Sequence, residues 1–242
     1  MERTTITVID ADIVSYRAAA SCEPTKQRNE IQGLDIAIAR CDETMHRILA
    51  DCETEQYFSF LTGGENFRYK IYPQYKAHRR DRPPPRWWND CKEYLVSEWG
   101  SRLCTGYEAD DAIGIAATTH KGIIASIDKD LRQIPGRHYN FVTREFSDVS
   151  EEEAKRNFYR QLILGDRSDN IPKIPKIGEV GAENLLNENP PEDWHNIIVE
   201  LYRQHNMDFE TNYKLLYILR SKEELANIIS EGEGQEITAD SA

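Results

Sequence analysis

At 242 residues the chain can bury one large core, or a core with a smaller lobe, and its hydrophobic share of 39% is low but globular. No apolar run approaches membrane-spanning length, and Met1 is expected to lead into a strand-like stretch rather than a signal peptide. The formal net charge of −12 speaks against binding a polyanion through bulk charge, so any such role must rest on a local basic surface.

Residues 4–10 (TTITVID) are rich in β-branched side chains and predict a strand ending on Asp10. Residues 34–52 place Leu34, Ile38, Cys41, Met45, Ile48, Leu49 and Cys52 at helical spacing. Residues 56–62 (QYFSFLT) predict a second strand, closed by Gly63 and Gly64. Between 66 and 92 there are eight basic residues and two acidic ones, a local basic surface interrupted by Pro83, Pro84 and Pro85, which no helix crosses. Trp87, Trp88, Cys91, Tyr94, Leu95 and Trp99 mark the next helix, and 108–119 another with a face of small apolar residues. Residues 122–128 (GIIASID) and 138–143 (HYNFVT) predict two further strands. This alternation predicts an α/β fold, a mostly parallel sheet flanked by helices, with its ligand site at the carboxyl ends of the strands. Beyond residue 150 helices alone are predicted, at 151–164, 179–188, 192–206, 208–220 and 222–230, and 231–242 reads as an acidic disordered tail. The five cysteines, at 22, 41, 52, 91 and 104, form no C-x-x-C pair and are expected to be buried thiols of a reducing cytoplasm.

Eight carboxylates fall into four clusters: Asp10; Glu108, Asp110 and Asp111; Asp128 and Asp130; Asp166 and Asp169. Removing these and the four acids of the tail (Glu231, Glu233, Glu236 and Asp240) leaves acids equal in number to the 30 Lys and Arg. At least three clusters abut an apolar run, so folding draws their charges towards a core where only cations make them tolerable. Two Mg²⁺ or Mn²⁺ ions roughly 4 Å apart suit such a cage, and phosphate-ester hydrolysis suits the ions. Each cluster alone has a plainer reading. Asp10 can cap a helix, with Asp12 the weaker metal candidate because its side chain can point away. The acids at 108–111 can complement a helix dipole for about 0.3–1 kcal/mol each, and 166–169 can be a surface loop. That loop, however, runs through a glycine turn into a helix N-terminus whose N–H groups can face a phosphate.

Taken in order, VIDAD (8–12), YKAHR (75–79), YEADD (107–111), SIDKD (126–130) and GDRSDNIPKIPKIGEVGAENLL (165–186) resemble the 5′-nuclease family. That family comprises flap endonucleases, the 5′-nuclease domain of bacterial family A DNA polymerases and phage 5′–3′ exonucleases; length and the YKAHR form make the chain most similar to the last. The resemblance covers residues 4 to about 190. It implies a PIN-like nuclease core over 1–150, with an arch at about 64–100, and a helix-three-turn-helix duplex-binding lobe over 151–230. Asp10, Glu108, Asp110 and Asp128 resemble ligands of a first metal, and Asp128, Asp130, Asp166 and Asp169 those of a second, with Asp111 a nearby acid of the same set. At the base of the arch, Tyr75 would stack on the terminal base while Lys76 and Arg79 neutralise the scissile phosphate. Arg80, Lys173, Lys176, Gly178 and Gly181 are implied nucleic-acid contacts, and His78 has no evident role.

The resemblance further implies two Mg²⁺ ions, replaceable by Mn²⁺, and a K⁺ ion on backbone carbonyls of residues 174–181. The implied activity is a 5′–3′ exonuclease with flap-endonuclease or RNase H-like cleavage of duplex, nicked or flapped DNA and RNA–DNA hybrid. The implied setting is a monomer in the cytoplasm, that of an infected bacterial host for a phage protein. Two departures stand out. Thr62, Gly63, Gly64 and Glu65 occupy the place where relatives carry an acid, leaving Glu65 or water to serve the first metal. Val180 replaces a common lysine, shifting phosphate contact to backbone amides and to Lys173 or Lys176. The alternatives are a weakened nuclease that only binds branched DNA, and a haloacid-dehalogenase-like phosphatase with Asp10 as nucleophile.

Overall fold

The computed structural model describes residues 5–79 and 83–236. Its first part runs β1 (Ile6–Asp10), α1 (Ala11–Ala20), α2 (Leu34–Asp51), β2 (Gln56–Asn66), α3 (Phe67–Ile71), α4 (Trp88–Trp99), β3 (Arg102–Gly106), α5 (Ala109–His120), β4 (Ile123–Ala125), β5 (Gly136–Asn140) and β6 (Glu145–Val149). Alternate side chains of a strand leave it in opposite directions. Ile9, Leu61, Ile123 and Ala125 therefore join one apolar layer while Val8, Phe60 and Ile124 join the other. Because both faces are covered, the central strands read as nearly continuous apolar runs. Helices α1, α2 and α4 cover the first face and α5 the second.

The six strands lie in the order β3-β2-β1-β4-β5-β6. All neighbours are parallel except β5 and β6, which form an antiparallel hairpin at one edge. Strands β3 and β6 are additions to the predicted set. Only Cys104 is buried in β3 and only Val149 in β6, so neither edge strand carries an apolar run.

Five helices follow: α6 (Glu151–Leu164), α7 (Glu179–Glu188), α8 (Trp194–Gln204), α9 (Phe209–Leu216) and α10 (Lys222–Glu236). Helices α6 to α9 enclose an apolar cluster of their own, built around Leu162, Ile174, Trp194, Ile198 and Tyr202, all at most 1% exposed. Helix α9 stops at Leu216 rather than at residue 220, because Ile218 and Leu219 leave the helix to pack against the α5 side of the sheet. The expected disordered tail is also corrected over 231–236, which continues α10. Leu225 and Ile228 anchor that helix beside α3 and α5, and an established helix propagates cheaply through residues such as Glu and Gln. Residues 237–242, the remainder of that expectation, lie outside the described residues. Among the described residues no helix is long and apolar enough to cross a membrane. All five cysteines are free and buried.

Candidate active site

From β1 the sheet grows outwards to β2 and β3, then returns through α5 to β4 on the other side of β1. Such a reversal of strand order opens a crevice at the carboxyl ends of β1 and β4. Asp10 closes β1 and Asp128 lies just beyond β4, so both stand at that crevice. The Asp10 carboxylate is 2% exposed; it accepts from the Ile13 amide at 3.1 Å as cap of α1, and from Ser126 Oγ at 2.6 Å. Burial, with Asp12 and Asp128 nearby, pushes its pKa up to about 7. Asp110 enters from the first turn of α5. Burial and the charges of Asp10, Asp128 and Glu108 raise its pKa well above the carboxylate range, and no donor among the described residues reaches it.

Asp128 is shared with a second group. Its Oδ1 accepts from the Asp130 amide at 2.9 Å. Asp130 takes a 2.5 Å hydrogen bond from Gln161 Nε2, and burial with Asp128, Asp166 and Asp169 nearby pushes its pKa up to about 7. Asp166 and Asp169 come from the turn after α6. There Gly165 (φ 60°) starts a tight loop, and Asp166 Oδ1 accepts from the amides of Ser168 at 2.6 Å and Asp169 at 3.3 Å. The four clusters therefore lie within electrostatic reach of one another: Asp128 acts on Asp10, Asp110 and Asp130, Asp166 and Asp169 act on Asp130, and Tyr75 and Lys76 tie Glu108 to Asp169.

A ready-made cage, however, is not what they form. Among the described residues no group of three or more His, Cys, Asp and Glu is placed to hold a metal ion. The acids turn to protein partners instead: Asp10 to Ser126, Asp130 to Gln161 and Asp169 to the Arg79 guanidinium. By chemistry the donor set fits a hard divalent cation, since it is all oxygen, anionic and includes the partnerless Asp110. Closing a ligand sphere requires those side chains to turn.

Asp111 needs a plainer correction. It is fully buried, and Arg68 Nη1 and Nη2 donate to its two oxygens at 2.6 and 2.8 Å. The Glu108 and Leu219 amides donate to it as well, so it holds the α5 N-terminus in place and has no lone pair left for a metal. Arg68, counted in the sequence as basic surface, is 2% exposed. Glu108 is similarly engaged, accepting from Asn66 Nδ2 at 3.0 Å, Lys76 Nζ at 2.5 Å and Tyr75 OH at 2.9 Å. Burial pushes its carboxyl up, but Lys76 and Arg68 overcome this and hold it below the usual value.

Tyr75 does not stand ready to stack on a base. It is 2% exposed, its ring packs among the α6–α9 side chains, and its hydroxyl lies between Glu108 at 2.9 Å and Asp169 at 3.1 Å, donating its one proton to either. Lys76, at φ 53°, bridges Glu108 at 2.5 Å and Asp169 at 3.7 Å, while Arg79 reaches Asp169 at 2.5 Å from a largely exposed side chain. The two cations thus stand at the carboxylates Glu108 and Asp169. Glu65 is exposed, and Asn66 takes the inward place beside Glu108. Arg80 lies outside the described residues. Lys173, Lys176, Gly178 and Gly181 are exposed around the start of α7, away from the carboxylates in sequence but on one continuous turn; Val180 is 74% exposed between the glycines.

Residues 5–160 match the family model described as 5′-3′ exonuclease, N-terminal resolvase-like domain. The chain belongs to that family. A 5′-3′ exonuclease of Mycoplasmopsis pulmonis is 31% identical over 166 residues, 60% of this chain and 55% of that protein. DNA polymerase I of Bacillus caldotenax is 28% identical over 208 residues, 76% of this chain and 23% of that protein. The exonuclease-family chain thus spans between a quarter and about half of these curated relatives. In fold it is similar to the bacteriophage T5 5′-exonuclease with bound divalent zinc (TM-score 0.69, 15% identity, 94% of this chain and 97% of that one). It is also similar to a bacteriophage T5 flap endonuclease in complex with DNA and metal ions (TM-score 0.64, 16% identity, 88% of each chain). Membership of the exonuclease family removes the phosphatase alternative.

Several residues of this exonuclease-family site were not singled out in the sequence. Arg68, Asn66, Ser126 and Gln161 act on the acids as partners, and Lys92 Nζ lies 3.3 Å from Asp12 Oδ1. Only for Arg68 and Lys92 was there a signal, a basic residue in an otherwise exposed-looking segment. The others are ordinary polar residues that tertiary packing alone brings to the acids.

Proposed function

We propose that the chain is a divalent-metal-dependent 5′–3′ nuclease that cleaves phosphodiesters in duplex, nicked or flapped DNA, with RNA–DNA hybrid as a further substrate, and that it works as a monomer. The observation that carries this reading is the convergence of Asp10, Asp110, Asp128, Asp130 and Asp166 at the strand-order reversal, where burial and mutual charge favour a cation. Asp10, Asp110 and Asp128 would hold one Mg²⁺, and Asp128, Asp130, Asp166 and Asp169 a second, with Mn²⁺ an adequate substitute. Such a pair supplies water activation and stabilisation of the leaving oxygen. Lys76 and Arg79 place positive charge where the scissile phosphate would lie, and Glu108 orients Lys76. Exposed Tyr16, edge-on to Trp88 and one helical turn from Asp12, offers the ring for a base that buried Tyr75 does not. The exposed amides at the start of α7, with Lys173 and Lys176, suit duplex phosphates, and carbonyls of residues 174–181 suit a K⁺ ion.

The test is cleavage of a 5′-labelled flapped duplex in Mg²⁺, with product lengths resolved. Asp128→Asn is expected to lower the rate by at least about 10²-fold, the scale of losing one preorganised charge contact in a transition state. An undiminished rate in saturating Mg²⁺ refutes the proposed roles. A second reading, a protein that binds branched DNA without turnover, draws on the engagement of Glu108 by Lys76 and the unclosed ligand sphere. It predicts tight forked-DNA binding in Ca²⁺ with no products in Mg²⁺ or Mn²⁺.

A further inference from the structure

At the other end of α1 from the carboxylates, a cavity of about 410 Å³ opens between the last turn of α1, the middle of α2 and the turn joining β5 to β6. Its volume falls in the range of small-molecule sites. Arg17, Arg40, Arg47 and Arg144 line it, and Glu43 is the acid in the lining. Arg144 is committed to Asp51, with Nη2 and Nε donating at 2.6 and 3.0 Å. Arg40 is held only by neutral atoms, Nη1 donating to Ser21 Oγ at 2.7 Å and Cys22 Sγ at 3.3 Å. The Arg17 guanidinium has no hydrogen-bond or ion-pair partner among the described residues. Arg47 stands 3.6 Å from the largely exposed Glu43, and its Nε is buried without an acceptor.

A buried guanidinium N–H without an acceptor has lost its water for nothing in return, and a turn of the Arg47 side chain towards an anion in the cavity would restore that bond. Among the described residues neither Arg17, which is exposed, nor the half-buried Arg40 is paired with an acid, so two positive charges face the cavity without a protein anion. A carboxylate would balance one of them; a phosphate monoester balances both. Guanidinium groups also match phosphate oxygens geometrically.

We infer that this cavity binds a phosphate-bearing ligand through Arg17, Arg40 and Arg47. Val142, 46% exposed at the rim, offers an apolar contact to a sugar or base attached to the phosphate. The phosphate comes either from a free mononucleotide or from a nucleic-acid strand. Because the length of α1, about 15 Å, separates the cavity from Asp10, binding needs no divalent metal.

The experiment is calorimetric titration of the full chain with inorganic phosphate and with deoxyadenosine monophosphate, in EDTA. One saturable site is expected. Arg40→Gln should weaken it about tenfold, the worth of one charge-assisted hydrogen bond. Arg17→Gln should weaken it several-fold, and because that side chain has no partner to lose, folding is not at issue. A 5′-phosphorylated duplex that displaces labelled deoxyadenosine monophosphate identifies a strand phosphate as the source, and failure to displace it identifies the free nucleotide. Absence of saturable binding, or binding unchanged in both variants, overturns the inference.

Discussion

Arg68 is drawn out of water between the sheet and the helical lobe. Two of its nitrogens sit on Asp111, and its Nε and Nη2 also donate to the Leu215 and Tyr217 carbonyls at 3.0 and 2.9 Å. Removing one partner of such a buried pair leaves a charge uncompensated, so Arg68→Met should lower unfolding free energy by about 3–5 kcal/mol in a denaturant titration. A loss below about 1 kcal/mol would show that the pair is solvated in solution. The acids of the crevice behave in the opposite sense. Asp10 and Asp130 have pKa values near 7 in the fold, well above their unfolded values, because burial and like charge favour the neutral form. Their stabilising contribution is therefore complete at acid pH and disappears as pH rises through 7. In EDTA, each group adds a downward slope of about 1.4 kcal/mol per pH unit between its two pKa values. Thermal melts should fall from pH 5 to about 7 and flatten above it; a rise over that window would contradict the arrangement.

At the scale of elements, the turn between α6 and α7 holds two of the eight acids in place with its own backbone. Gly165 combines φ 60° with a site where a Cβ would strike the Ile171 carbonyl and the Lys173 amide. With ψ near −167° Gly165 occupies a region open essentially to glycine alone, so Gly165→Ala should cost at least about 1–3 kcal/mol and displace Asp166 and Asp169 together. The measurable result is a lower melting temperature combined with weaker divalent-cation binding by calorimetry. A variant that keeps wild-type cation affinity would show that the turn does not position these acids. Helix α5 illustrates the same coupling. The Asp111 carboxylate accepts from the Glu108 amide at 3.1 Å at the helix N-terminus, so an acid that resembles a ligand also starts the helix that carries Asp110.

Across the whole molecule, the helical lobe and the sheet meet at the acids. Tyr75 inserts its ring among α6–α9 while its hydroxyl reaches Glu108 and Asp169, and the Lys76 amide donates to the Asp169 carbonyl at 2.9 Å. A divalent cation that binds only the folded form should stabilise it by about 2.7 kcal/mol at a hundred times its Kd. Millimolar Mg²⁺ is thus expected to raise the melting temperature, most clearly at pH 8 where the acids are ionised. No shift up to saturating Mg²⁺ would argue against a cation among them.

The sequence alone determined the alternation of strands and helices, because apolar periodicity is a local property of the chain. It also marked Asp10, Asp110, Asp128, Asp130, Asp166 and Asp169, since acids at the ends of apolar runs are unusual wherever they occur. It did not reveal β3 or β6, whose edges carry too few buried side chains to leave a pattern. Nor did it separate acids that face the crevice from those that serve the fold. Asp110 and Asp111 are adjacent and chemically identical, yet one faces mainly other carboxylates, which outweigh Lys76, and the other a buried arginine 43 residues earlier in the chain. Tyr75 likewise reads as a stacking ring until the packing of α6–α9 encloses it. Partner choice at that range is set by which elements pack together, and only the tertiary structure decides that.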